Sequence, residues 1–162
     1  MTVTLRPYTP ADYQPALDIC IAAFAPIHEG FAEALGPKVF ALQYHDWKER
    51  YAETFNGIAS AGETTKVYVA EVDGAVAGFV FTVLDAARKT GEIGLNAVDP
   101  KRQGRGVGRA MYAFALADLK SRGAEIAYVG TGGDVAHGSA RRAYEAVGFD
   151  KVIPSLHLFK TL

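Results

Sequence analysis

Gln103-Gly104-Arg105-Gly106-Val107-Gly108 lies between a strand closing at Asp99-Pro100 and a helix read from Ala110, and this stretch governs how the chain is read. Gly104, Gly106 and Gly108 have no Cβ, so their backbone amides can approach an anion closely. The first turn of a following helix adds unsatisfied N–H groups and the positive end of its dipole. Arg102, Arg105 and Arg109 can supply charge-assisted contacts. A pyrophosphate fits such a place, although closely spaced glycines also serve plain turns. The Gly-Lys-Ser/Thr ending of a P-loop is absent. The spacing of the glycines is not the G-x-G-x-x-G of a dinucleotide fold, and an antiparallel meander precedes them.

Working outward, Val67–Val72 and Ala75–Val83 read as strands joined at Asp73-Gly74, a pair suited to a type I′ hairpin turn. Glu92 to Val98 is a third strand of that meander. Upstream, Val3–Arg6 is a short strand, a helix begins at Asp12 and ends near Pro26, and a second runs from Lys38 to Phe55. Downstream, Ala110–Lys120 is a helix, Glu125–Val129 a strand, and Ser139–Val147 a helix stopped at Gly148. Phe149–Ile153 and Leu156–Lys160 read as two short closing strands. This order predicts an α+β domain: a central mixed, mostly antiparallel sheet of six to seven strands flanked by four helices.

The 162 residues favour one domain, and a 49% hydrophobic, 22% charged composition suffices for a sizeable core. A net charge of −1, from 17 basic and 18 acidic side chains, gives no global reason to expect nucleic acid or membrane as a partner. No apolar run approaches the roughly 20 residues of a membrane span, so the cytoplasm is the expected location. The lone Cys20 excludes an internal disulfide, and the four histidines show no metal-ligand spacing.

Asn96-Ala97-Val98-Asp99-Pro100 followed by Gln103 through Arg109 resembles the coenzyme A signature of the GNAT N-acetyltransferase superfamily, Gln/Arg-x-x-Gly-x-Gly/Ala. Ala140-Arg141-Arg142-Ala143-Tyr144-Glu145-Ala146-Val147-Gly148-Phe149 is similar to its second signature, a helix carrying a tyrosine before Gly-Phe. The order of elements matches from Val3 to Leu162. The resemblance implies the GNAT fold, acetyl-coenzyme A as co-substrate without a metal, and direct attack by a primary amine within a ternary complex. It implies that Asn96, Ala97 and Val98 bind the pantetheine arm through their backbone. It implies likewise that Gly104, Arg105, Gly106, Val107, Gly108 and Arg109, behind Gln103, cradle the pyrophosphate. Tyr144 would be the general acid that protonates the departing thiolate, or else a half-buried aromatic of its helix.

Two positions depart from the family pattern. Where many members carry an asparagine that contacts the cofactor, this chain has His137, which can keep that contact, take part in acid–base work, or have no role. No carboxylate lies in Ala127–Gly132, where some members place a base. Glu92, eleven residues before Gln103 as in histone-type members, is the alternative base or a solvated strand end. Asp134 is a weaker candidate, better suited to capping a turn. Cys20 has no histidine beside it and is a poor acyl carrier. The acceptor would bind beside the first two helices, where Phe24, His28, Phe31, Tyr44, Trp47 and Tyr51 form either a pocket wall or core, and Glu29 and Asp46 are acidic. Small-molecule amines, protein N-termini and lysines all remain open, as does a homodimer. The runner-up is a GNAT-fold module that binds or senses acetyl-coenzyme A without turnover.

Overall fold

A computed structural model describes residues 2–162. Five strands form one sheet in chain order: β1 (Val3–Pro7), β2 (Thr65–Val72), β3 (Ala75–Asp85), β4 (Thr90–Val98) and β5 (Ile126–Val129). Among the described residues there are four α-helices, α1 (Tyr13–Gln43), α2 (Trp47–Asn56), α3 (Val107–Ser121) and α4 (Gly138–Glu145). Neighbouring strands are antiparallel except β4 and β5, which run parallel and are joined through the α3 crossover. The Asp73-Gly74 turn forms as its residue types require, with φ of 53° and 76° at the two positions.

Both faces of the sheet are covered, so the central strands are apolar on both sides. Along β2, Val67 and Val69 pack with Phe79, Phe81, Phe55 and the α1 residues Ala16, Ile19 and Cys20. The alternate residues Tyr68, Ala70 and Val72 pack instead with Met111, Ala115 and Leu119 of α3. This is the period-two alternation of a strand read on two buried faces.

Two helices depart from the sequence reading. The first helix does not stop at Pro26 but continues to Gln43, interrupted at Gly36, whose φ of 73° and ψ of 168° are not helical. Pro37 then restarts it, since a proline's fixed φ and missing N–H suit a first helical position. The region read as one helix from Lys38 to Phe55 is divided at Tyr44–Asp46 between the end of α1 and α2. The segment Pro10–Gln43 contains an 18-residue stretch whose mean hydropathy reaches 1.2, long and apolar enough by composition to cross a membrane. Its residues Ala16, Ile19 and Cys20 are buried against the sheet.

The largest correction concerns the C-terminus. Phe149–Ile153 and Leu156–Lys160 form no strands, so the sheet has five strands rather than six or seven. Pro154, between the two pieces, offers no N–H to a ladder and has a fixed φ. Val152, Ile153, Leu156 and Leu158 are exposed, while Phe159 lies 6.5 Å from the ring of Tyr44.

The entry to α1 is fixed electrostatically. The Arg6 guanidinium donates to both oxygens of Asp12 at 2.7 Å and to Glu71 at 2.7 and 2.9 Å, linking β1, β2 and the helix start. Asp12 also accepts from the Thr9 amide at 2.8 Å and is 4% exposed. The hydrogen bonds from Arg6 hold its carboxyl down at about 2. A depressed carboxyl contributes stability above its unfolded value of about 3.9, and that contribution is lost as pH falls through its folded value. We expect unfolding free energy to decline by about 2 kcal/mol between pH 4 and 2 on this account. Asp12→Asn should flatten that slope in urea titrations run across the acid range.

Candidate active site

The two strands that meet in parallel soon separate. β4 pairs with β5 from Thr90↔Ile126 to Ile93↔Val129, and then β4 continues to Val98 without a partner on that side. Gly130 and Thr131 turn away, and the opening becomes a cavity of about 660 Å³. Its walls are β4 from Glu92 to Val98, the glycine segment, α3, α4 with the loop before it, and Ala23, Phe24 and Ile27 of α1.

Gly106 has a φ of 84° and passes the chain directly into α3. The first-turn amides of the helix have no carbonyl four residues back to bond. Gln103, Gly104, Gly106, Gly108 and Arg109 all line it. Two residues of the predicted cradle do not. Val107 is buried in the core against α3's neighbours, and the Arg105 side chain is exposed.

A bulge decides which way β4 points its side chains. Thr82 of β3 faces Ile93 and Val80 faces Asn96, so β4 advances three residues while β3 advances two. Leu95 consequently joins the α1 side of the sheet, and Asn96 turns towards α3 and α4. There the Asn96 amide nitrogen donates to the Tyr144 hydroxyl at 3.1 Å, and its oxygen accepts from the Tyr112 hydroxyl at 2.8 Å. The rings of Tyr112 and Tyr144 pack with centroids 4.5 Å apart, tilted by 35°. Both are buried, and desolvation raises both phenols above the ordinary tyrosine value. Tyr144 is therefore a protonated hydroxyl at neutral pH, within the wall of the cavity.

Glu92 lines the same cavity and accepts a hydrogen bond from the Tyr128 hydroxyl at 3.1 Å. His137 lines it too, its Nδ1 2.6 Å from Asp134. Gly132 makes room for that pair, because a Cβ there would stand 2.3 Å from the imidazole. Arg141 secures the loop by donating to the carbonyls of Gly132 and Asp134. Asp134 thus serves His137 as an orienting partner, a pairing the three-residue spacing alone did not announce.

Tyr112 has no assigned role in the sequence reading of this helix. The available signal was its position four residues beyond Gly108, one helical turn along the same face. The aromatic residues of α1 and α2 are mostly packed on one another. His28 is stacked on Trp47 at 4.1 Å, touches Phe31, Tyr44 and Tyr51, and is kept neutral by burial. Only Phe24 of that group reaches the cavity. Cys20 is fully buried, and burial pushes its thiol up to about 12, which suits packing rather than acyl transfer. Among the described residues no three potential metal ligands cluster.

The model of the Acetyltransferase (GNAT) family matches residues 28–149, three quarters of the chain, from the second half of α1 to the end of the tyrosine helix. This chain belongs to the GNAT acetyltransferase family. Acetyl-coenzyme A is the donor used by this family. A mycothiol acetyltransferase from Tsukamurella paurometabola is 34% identical over 154 residues, 92% of this chain and 49% of that protein. The chain thus spans about half the length of that relative, and less of several others. Among solved structures, a GNAT family acetyltransferase from Brucella melitensis in complex with acetyl-CoA has a TM-score of 0.63 at 25% identity, covering 93% of this chain and 84% of that one. The ribosomal-protein-S18-alanine N-acetyltransferase of Escherichia coli has a TM-score of 0.67 at 21% identity, over 94% and 80% of the two chains. The glycine segment, the unpaired stretch of β4 and the free helix amides of this GNAT chain fit a diphosphate carrying an extended amide arm.

Proposed function

We propose that this GNAT protein is an N-acetyltransferase that moves the acetyl group of acetyl-coenzyme A to a primary amine by direct attack. The observation that carries the reading is the protonated Tyr144 hydroxyl set into a cavity that opens where β4 and β5 part. Acetyl-coenzyme A, when bound, supplies an acetyl group activated as a thioester. The amides of Gly104 to Arg109 and the N-terminal end of α3 hold its pyrophosphate. The free backbone edge of Gly94 to Val98 takes up its pantetheine arm as a strand would. Tyr144 gives its proton to the departing thiolate. Glu92, fixed by Tyr128, accepts the proton that an ammonium acceptor must lose before it attacks.

The acceptor is a small amine or a peptide amine reaching the cavity past Ala23, Phe24 and Ile27. A thiol-release assay across amines tests this, with the acceptor of mycothiol acetyltransferases, aminoglycosides, polyamines, lysine and peptide N-termini in the panel. Saturable release that requires acetyl-coenzyme A and one class of amine is the expected result. Acetyl-coenzyme A at 100 times its Kd should also stabilise the protein by about 2.7 kcal/mol. Stabilisation without release from any amine would leave a binding module, and no stabilisation would defeat the reading of the cavity.

A further inference from the structure

We propose that Tyr112 and Asn96 are positioning residues that direct the hydroxyl hydrogen of Tyr144 into the cavity. This rests on the acetyltransferase reading of Tyr144 but is carried by its own geometry.

The direction of each hydrogen bond follows from the groups present. The Asn96 Nδ2 lies 2.8 Å from the Gly94 carbonyl oxygen, which can only accept, so the amide group is oriented with its nitrogen there. Its Oδ1 then faces Tyr112, whose hydroxyl must donate to it at 2.8 Å. The second hydrogen on Nδ2 goes to the Tyr144 oxygen at 3.1 Å. Tyr144 now accepts from Asn96 and still has its own hydrogen to give. The same Oδ1 lies 3.3 Å from the Tyr144 hydroxyl, a longer contact that competes with the Tyr112 bond. The shorter Tyr112 bond weakens the pull of that oxygen on the Tyr144 hydrogen, which is then more readily given to a ligand atom in the cavity. The Asn96 N–H also stabilises the phenolate oxygen left when that hydrogen departs, which makes Tyr144 a better donor.

Burial makes the arrangement firm. Tyr112 is 3% and Tyr144 5% exposed, and a neighbouring packed ring leaves little space for either phenol to swing. The β4 bulge is what brings Asn96 to this side of the sheet. Without that extra residue the asparagine would point towards α1, and Tyr112 would have no partner on the strand.

Tyr112→Phe keeps the ring and removes the donor, freeing Asn96 Oδ1 to capture the Tyr144 hydrogen. The expected result is a kcat lowered about tenfold with KM for acetyl-coenzyme A unchanged, the size of one hydrogen bond transmitted to the transition state. In a Tyr144→Phe background the same substitution should lower kcat no further. Independently of turnover, the titration of the Tyr144 phenol, followed by NMR of protein labelled at the tyrosine ring carbon, should move in Tyr112→Phe. Additive losses in the double variant, a change in KM alone, or an unmoved Tyr144 titration would each overturn the proposal. If the wild-type protein acetylates no amine, the functional reading fails, and the titration still decides the relay.

Discussion

Tyr144→Phe is expected to lower kcat by about 10²–10⁴-fold while leaving acetyl-coenzyme A binding and the melting temperature nearly unchanged. The substitution deletes one oxygen from a ring that packs on Tyr112 at 4.5 Å and on Phe149 at 5.9 Å, and those contacts persist in phenylalanine. What is removed is the proton for the leaving thiolate and the acceptor for the Asn96 amide nitrogen. A coenzyme A thiolate can leave without help, so the loss should be of the size of general-acid assistance and not total. Steady-state kinetics with the best amine of the panel, together with acetyl-coenzyme A titration calorimetry, provide the check. A variant with wild-type kcat would remove Tyr144 from the chemistry and with it the role assigned to Tyr112.

The second large effect concerns the far side of the same helix. Asp118 of α3 accepts from the Tyr68 hydroxyl at 2.7 Å, from Thr82 at 3.2 Å and from the Arg122 guanidinium at 3.1 Å. Arg122 in turn donates to the Thr64 carbonyl oxygen at 2.6 Å, so the cluster ties α3 to β2, β3 and the turn before them. The Asp118 and Arg122 side chains are 10% and 11% exposed. Taking away the carboxylate leaves the Tyr68 hydroxyl without its acceptor and the Arg122 cation without its counter-charge, although Arg122 keeps the carbonyl oxygens of Glu63 and Thr64. Asp118→Ala should therefore destabilise the protein by about 3–5 kcal/mol. For a chain of this size that lowers Tm on the order of 10 °C. Asp118→Asn, which keeps an acceptor oxygen, should lose markedly less. Equal losses in the two variants would show that the negative charge facing Arg122, not the acceptor oxygen or the side-chain volume, is what matters there.

Much of the fold was legible where local chemistry and tertiary packing agree. Asp73-Gly74 demands a turn wherever it lies between two alternating strands, and Gly104 and Gly106, both at positive φ, break the regular backbone between β4 and α3. Tyr144 was found because its whole helix is a motif. The terminal strands failed for the opposite reason. Val152, Ile153, Leu156 and Leu158 have strand-like side chains, but pairing is a property of two segments, and no strand of the sheet takes them as a partner. The continuity of α1 past Pro26 is likewise decided by what the helix packs on. The side-chain role of Asn96 was hidden by the β4 bulge, since counting residues by two places it on the wrong face. Asn96 was read only through its backbone, and Tyr112, which bonds it, was not read at all.

Under the proposed binding of the pantetheine arm along β4, the parting of β4 from β5 after Ile93 sets the sheet and that ligand in competition. The same backbone groups, from Gly94 to Val98, can be satisfied by an extended β5 or by a bound molecule, but not by both. A substitution that let β5 zip further along β4 would make the empty protein sturdier and the loaded one rarer. The short length of β5, four residues, is in this sense a setting of affinity written into the backbone rather than into any side chain.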